Sequence, residues 1–293
     1  MLKSPRGSRL LLMFVAFGTI NLSAIAMTIT CPLAEAQSGI RVRADQWLRV
    51  EKVVGNVTYR NLYNYTSRPA IVGDLLQAAS DEISTGEGSS ATLSVDTGAG
   101  LIYVAENTTI RVKSFLMAAD SGRITNLFIS RGKARLQIRK FTNSSSQLNI
   151  QTPAGVSGVR GTEFIVIARP TGDTVLSTLS GRVASMAQNV TEPVRAKFEN
   201  MTLLGKPPSK PVPIKNDPSL KYTIDRKTSA IGRSVSLIGY TNPFNTVKVD
   251  GLEQPLDLSG KFAIQFPAPS TLKVNVQVET PQGKTQFYEI PLL

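Results

Sequence analysis

From Trp47 onward the sequence repeats one pattern, short stretches in which apolar and polar residues alternate, separated by Gly, Asn, Asp and Ser. A period of two puts one side of each stretch in a core and the other in solvent, which is the signature of β-strands. Ala91, Leu93 and Val95 alternate, Asp96 to Gly100 turns the chain, and Ile102, Val104, Ile110 and Val112 resume the alternation. Arg123 to Arg139 reads as two strands broken at Arg131-Gly132, and Phe164–Ala168 with Val175–Leu179 reads as a hairpin around Pro170-Thr171-Gly172-Asp173. No stretch of twelve or more residues holds a helical period, and residues 192–200 have room for one short helical turn. The expected fold class is all-β.

The N-terminus differs in kind. Lys3, Arg6 and Arg9 precede an apolar run from Leu10 to about Met27, and Ala34-Glu35-Ala36 offers small residues at the spacing a signal peptidase requires. A secretory signal peptide over residues 1–36 is therefore expected, with Gln37 as the mature N-terminus. Retention as an anchor is the alternative, because about 20 apolar residues span a bilayer. Thr28-Ile29-Thr30 is a poor lipobox ahead of Cys31.

Removing residues 1–36 takes away the only cysteine of a chain that has no histidine. Disulfides, thiolate nucleophiles, Ser-His-Asp relays and zinc sites with N/S ligands are then excluded. No cofactor, no metal and no catalytic residues are expected. Ser130-Arg-Gly-Lys133 fits S-x-x-K but has no partner motif. Losing Lys3, Arg6, Arg9 and Glu35 lowers the formal charge from +12 to +10, which favours anionic partners. After export these are envelope polymers rather than nucleic acid, and no later segment is apolar for long enough to span a membrane.

Residues 205–218, GKPPSKPVPIKNDP, are rich in proline and lysine and read as part of a linker. The expected organisation is an all-β domain over 37–200, a Pro/Lys-rich linker over 201–231, and a small immunoglobulin-like sandwich over 232–293. Five strands are expected in the last: Val235–Gly239, Thr246–Asp250, Lys261–Pro267, Leu272–Thr280 and Thr285–Pro291.

Thr152 to Phe164, TPAGVSGVRGTEF, places Gly155, Gly158 and Gly161 at every third position. A phosphate loop ends at a helix N-terminus, but here Phe164-Ile165-Val166-Ile167 continues as a strand. The glycines are better read as a corner or bulge, structural or ligand-contacting, with Arg160 and Glu163 close enough to pair. This stretch, followed by Leu179-Ser180-Gly181-Arg182-Val183, resembles the signature of FecR-like domains. Gly55-Asn56-Val57, Val72-Gly73-Asp74, Ile83 to Gly86, Ser90 to Leu93 and Glu106-Asn107-Thr108 extend the resemblance over about Val50 to Val190. It implies an exported all-β domain, a β-solenoid or sandwich, of the kind found in the periplasmic part of iron-uptake regulators. On that resemblance Pro153, Gly158, Val159, Arg160, Gly161, Thr162 and Phe164 are motif residues with a structural role. Only nine residues precede the apolar run. No cytoplasmic anti-sigma part is therefore expected, and the layout resembles stand-alone exported members such as those of cyanobacteria.

Independently, Arg131, Lys133, Arg135, Gln137 and Arg139 occupy every odd position of one stretch while Leu136 and Ile138 point the other way. On one strand face such charges stand roughly 7 Å apart, within the ~8 Å Debye length. With Arg111 and Lys113 they form a candidate surface for a polyanion or a partner, or else a solvated face that blocks edge pairing. The functional expectation is a non-catalytic exported protein, periplasmic or extracellular, that binds an anionic cell-wall polymer or an exported or membrane protein. The alternative is a periplasmic sensing subunit of a membrane signalling system.

Overall fold

In the computed structural model, residues 41–42, 46–62, 65–96, 98–229, 232–267 and 273–292 are described, and the expected signal peptide over 1–36 lies outside them. The expected alternation becomes strands throughout, with no helix among the described residues. In the first domain they run β1 (Arg41–Val42), β2 (Leu48–Val54), β3 (Val57–Asn61), β4 (Thr66–Pro69), β5 (Leu75–Leu76), β6 (Asp81–Thr85), β7 (Ser90–Val95), β8 (Gly100–Val104) and β9 (Thr109–Met117). The chain continues through β10 (Arg123–Ile138), β11 (Gln147–Gln151), β12 (Val156–Val159), β13 (Glu163–Ala168), β14 (Thr174–Ser180), β15 (Arg182–Ala187), β16 (Val190–Arg195), β17 (Phe198–Thr202) and β18 (Val212–Pro213). Residues 192–200, read above as room for a helical turn, instead end β16, turn at Ala196-Lys197 and enter β17.

Two sheets result. The first has the order β4-β3-β6-β9-β10-β11-β12-β15-β16, with β1 along the end of β9. The second has the order β5-β2-β7-β8-β10-β13-β14-β17-β18. All pairings are antiparallel except that of β10 with β11. The sheets share β10 and do not close into a barrel, since β4 and β16 end one and β5 and β18 end the other. Their inner faces bury one continuous core, including Leu48, Ile83, Leu93, Ile110, Leu136, Ile150, Phe164 and Val166.

The long strand β10 explains how one chain stitches both sheets. Leu127 and Ile129 are buried at odd positions, whereas Ala134, Leu136 and Ile138 are buried at even ones. The inward parity inverts between them because β10 leaves the first sheet and enters the second. An irregularity between Ile129 and Arg131 and a left-handed Gly132 (φ 92) carry it across, as strands that turn sandwich corners require. The two strands expected over Arg123–Arg139 are thus one continuous strand that changes sheets at the anticipated point.

The second domain holds β19 (Lys221–Ser229), β20 (Gly232–Tyr240), β21 (Thr246–Val249), β22 (Leu252–Gln254), β23 (Lys261–Pro267), β24 (Lys273–Glu279) and β25 (Thr285–Pro291). They form sheets β19-β20-β23 and β22-β21-β24-β25 around Val235, Leu237, Phe262, Val276 and Ile290. Seven strands in a three-plus-four sandwich are immunoglobulin-like, two more than the five expected. One of the additions, β19, falls inside the 201–231 stretch assigned to the linker and pairs along its whole length with β20. The proline-rich stretch itself lies along β17: Ser209 N–H donates to Met201 O (2.8 Å), Ile214 N–H donates to Lys197 O (3.0 Å), and β18 pairs with Phe198 and Glu199.

The domains meet on the outer face of the second sheet. Ile165, Ile167, Val175 and Met201 are buried there under Phe244 of the second domain. Arg169 is buried beside them, and its Nη2 donates to Pro243 O (2.6 Å) and Asn245 O (2.9 Å). Arg169→Met keeps the apolar stem but removes both donors, leaving two carbonyls without the partner they have now. Loss of hydrogen bonds to a charged donor costs about 2–4 kcal/mol. Chemical denaturation should therefore show a lower midpoint for Arg169→Met, and an unchanged midpoint would show that Arg169 does not hold the domains together.

Candidate ligand-binding surface

The six cations singled out from the sequence do not form one stripe. Arg111 and Lys113 lie on the outer face of the first sheet, where Arg111 stacks over Phe128 (5.3 Å to the ring centroid) and Lys113 Nζ donates to Gln151 Oε1 (2.8 Å). Lys133 and Arg135 lie on the outer face of the second sheet, on the opposite side of the sandwich. Both are engaged: Lys133 Nζ pairs with Glu279 of the second domain (2.7 Å), and Arg135 pairs with Glu163, its Nε donating at 3.0 Å. Ser130 and Lys133, the S-x-x-K pair, are on the two sides of the crossover.

Arg131 and Arg139 are the exposed members whose side chains make no hydrogen bond or ion pair among the described residues. At ~3.3 Å per residue they stand roughly 26 Å apart, at the two ends of the second half of β10. Arg131 borders a cleft of about 350 Å³ between the domains, together with Lys133, Glu106, Lys248 and Glu279. That cleft carries more acid than base: Glu106 takes Lys248 (2.7 Å) and Glu279 takes Lys133, while Glu87 and Glu253 also line it beside Arg131. The Lys248 ammonium and the Gly88 N–H hold the Glu106 carboxyl below its usual pKa.

The TPAGVSGVRGTEF stretch forms a β12-centred corner with distinct roles for its residues. Thr152 N–H donates to Gly155 O (2.8 Å), closing a turn that leaves Pro153 exposed and leads into β12. Gly158 sits within β12, where a Cβ would come within 3.3 Å of Asn149 Oδ1 and Met186 Cε. Val159 and Phe164 are buried in the core on either side of the corner. Gly161 has φ 143, and a Cβ there would lie 2.5 Å from the Cα of Lys140, so only glycine lets the chain after β10 lie against this corner. Thr162 O accepts from Ile138 N–H (2.9 Å), while its buried Oγ1 has no hydrogen-bond partner among the described residues. The expected Arg160–Glu163 pair is not made: Glu163 turns to Arg135 across the sheet, and Arg160 Nη2 donates to Asn143 O (3.1 Å).

Beside this corner the loop ends gather Arg139 with residues outside the candidate set. Arg123, paired with Asp96, lines a hollow of about 460 Å³ with Arg139, Lys140, Thr142 and Asn143. A second hollow of about 500 Å³ is bordered by Gly98, Arg139, Lys140, Gly161 and Thr162. Nothing in the spacing of Gly98, Lys140 and Arg160 signalled that three separate loops would converge. Among the described residues no group of three or more His, Cys, Asp or Glu is placed to hold a metal ion.

A family model described as FecR protein matches residues 81–184, which span β6 to β15 and include the corner. No curated protein matches the chain. Two crystal structures of a candidate anti-sigma factor from Parabacteroides distasonis, at 2.50 and 1.65 Å resolution, each give a TM-score of 0.38 at 15% identity. Each likeness covers 50% of this chain and 68% of the other.

Proposed function

Because residues 81–184 are a FecR domain, we propose that this chain is a non-catalytic binding protein of the cell envelope, exported by its N-terminal segment to the periplasm or beyond. Its partner is an anionic envelope polymer. The observation that carries this reading is the imbalance of charge on the domain. The carboxylates near the second half of β10 are spent on Lys133 and Arg135, and at its end Arg139 and Lys140 remain exposed with no ion pair among the described residues. The residues after the signal segment contain no cysteine or histidine, which removes the usual nucleophile, relay and metal chemistries. The immunoglobulin-like domain serves as a second surface held against the first by Arg169 and Phe244.

The test is sedimentation of the full chain with insoluble peptidoglycan, in ~0.1 M and in ~1 M salt, across which the Debye length falls from about 10 Å to about 3 Å. Recovery in the pellet should be high at low salt and fall steeply at high salt. Salt-insensitive recovery, or crosslinking in cells that captures only a membrane protein, would instead support the sensing-subunit alternative.

A further inference from the structure

Three loops meet where β10 leaves the second sheet. They are pinned by their backbones: Arg139 N–H donates to Ala99 O (2.9 Å), Ile138 N–H to Thr162 O (2.9 Å) and Phe141 N–H to Arg160 O (3.0 Å). The hollows of about 460 and 500 Å³ share Gly98, Arg139 and Lys140, so they adjoin across that segment, and together they are called the groove. Each is of the size that holds small ligands or a short segment of a longer one.

The charges in the groove do not cancel. Asp96 is committed to Arg123, and Glu163 to Arg135. Asp120, at the edge, accepts from Ser145 Oγ and Gly122 N–H. Arg139 and Lys140 make no side-chain hydrogen bond or ion pair among the described residues, and Arg160 spends one nitrogen on the Asn143 carbonyl at the rim. Arg139 and Lys140 therefore face a concave surface whose lining acids, Asp96 and Glu163, are each paired to another arginine, and Arg160 stands at its rim. Thr142, Asn143, Ser146 and Gln147 add hydroxyl and amide groups, beside the apolar Val95, Ala99, Leu101 and Leu148. Phe141 is its one aromatic ring, a poor platform for stacked bases, which single-stranded nucleic acid requires. Guanidinium groups bind carboxylate or phosphate through paired N–H donors, and hydroxyl and amide groups suit sugar hydroxyls.

We propose that this groove, rather than the strand face of β10, holds the ligand, and that the ligand is a linear glycan bearing repeated carboxylate or phosphate groups. The inference rests on the polymer-binding reading above and locates its site. It also gives the family motif a functional consequence. Gly161 permits the close approach that brings Lys140 to the corner, and the carbonyl of Arg160 fixes Phe141, so the motif builds one wall of the groove.

The experiment measures binding of the full chain to polygalacturonate, to poly(glycerol phosphate) and to dextran at ~0.1 M salt. Binding to one or both of the charged polymers and not to dextran is expected, and which one binds identifies the anionic group. The triple variant Arg139→Ser/Lys140→Ser/Arg160→Ser should lose at least about tenfold in affinity, whereas Arg131→Ser and Lys113→Ser should change it less than about twofold. All these side chains are exposed at their charged ends, and thermal melting of each variant confirms the fold. The single Arg139→Lys variant should weaken binding less than Arg139→Ser. Equal affinity of the triple variant and the parent overturns the groove while leaving polymer binding intact. Failure of the parent to bind either charged polymer, with peptidoglycan sedimentation preserved, likewise overturns the groove's ligand class. Loss of both overturns the underlying reading as well.

Discussion

Gly132→Ala is expected to destabilise the first domain by about 4 kcal/mol, against about 1 kcal/mol for Gly205→Ala. Both glycines adopt positive φ, 92 and 73 respectively, so both substitutions carry the strain of a left-handed L-residue. They differ in surroundings. A Cβ at Gly205 meets nothing within 4 Å, whereas one at Gly132 would stand 2.3 Å from Thr108 Oγ1 and 2.5 Å from Thr108 Cα. The second atom is backbone and cannot rotate away. Moving Thr108 would also break a knot, because its hydroxyl accepts from Lys133 N–H (2.9 Å) and donates to Glu106 O (2.9 Å). Those bonds hold the point at which β10 changes sheets. Urea unfolding followed by circular dichroism compares the two variants directly. Similar midpoints would mean that the crossover tolerates rearrangement.

The second large effect concerns Glu199, which is buried beneath the β24–β25 turn on the outer face of the second sheet. Ser177 Oγ donates to its Oε2 (3.1 Å) and Gln282 Nε2 donates to that same Ser177 hydroxyl (2.7 Å), so the carboxyl closes a polar contact between the domains. Burial dominates over these donors and pushes the pKa of Glu199 from the usual 4.5 up to about 7. A carboxyl whose folded pKa is raised favours the folded state most when both states are protonated, below pH 4.5. That contribution is lost as pH rises through about 7. The gap between 4.5 and about 7 corresponds to about 3 kcal/mol. Glu199→Gln removes the titration, so above pH 7 the variant should be the more stable protein by up to that amount, and the difference should vanish towards pH 4.5. Thermal unfolding across pH 4.5 to 8 measures it. A stability difference that does not change with pH would show that Glu199 stays ionised throughout.

Why some of this was legible in the sequence and some was not follows from the range of the interactions. Alternation such as Ala91, Leu93, Val95 reports one buried face, and the strands appear where it places them. The break at Arg131-Gly132 was also visible, because glycine at a strand centre marks an irregularity, but its meaning was not. Whether a strand ends or crosses to another sheet depends on which strands flank it, here β9 and β11 before Gly132 and β8 and β13 after it. That crossover is also why Arg111 and Lys113 part company with Lys133 and Arg135. Parity within β10 could be read from the chain, whereas the sheet to which each half belongs could not.

The apolar run Phe164 to Ala168 carried a signal that alternation alone does not use. A strand with no polar face is covered on both sides, and β13 is, by the core beneath and by the second domain above. Proline suppressed the recognition of β18 and of the strap along β17, since its missing N–H argues against pairing. Here Pro213 sits on an edge strand where that loss is tolerated. The groove was illegible for a simpler reason: Lys140, Arg160 and Gly98 are distant in sequence and meet only through the backbone bonds of three loops.

The central claim is that an unneutralised basic surface on the FecR domain binds an anionic envelope polymer. Sedimentation of the full chain with peptidoglycan at ~0.1 M and ~1 M salt tests it most directly. The account predicts near-complete recovery at the lower salt and loss of most of it at the higher. Recovery that is negligible at both concentrations, or equal at both, would contradict it.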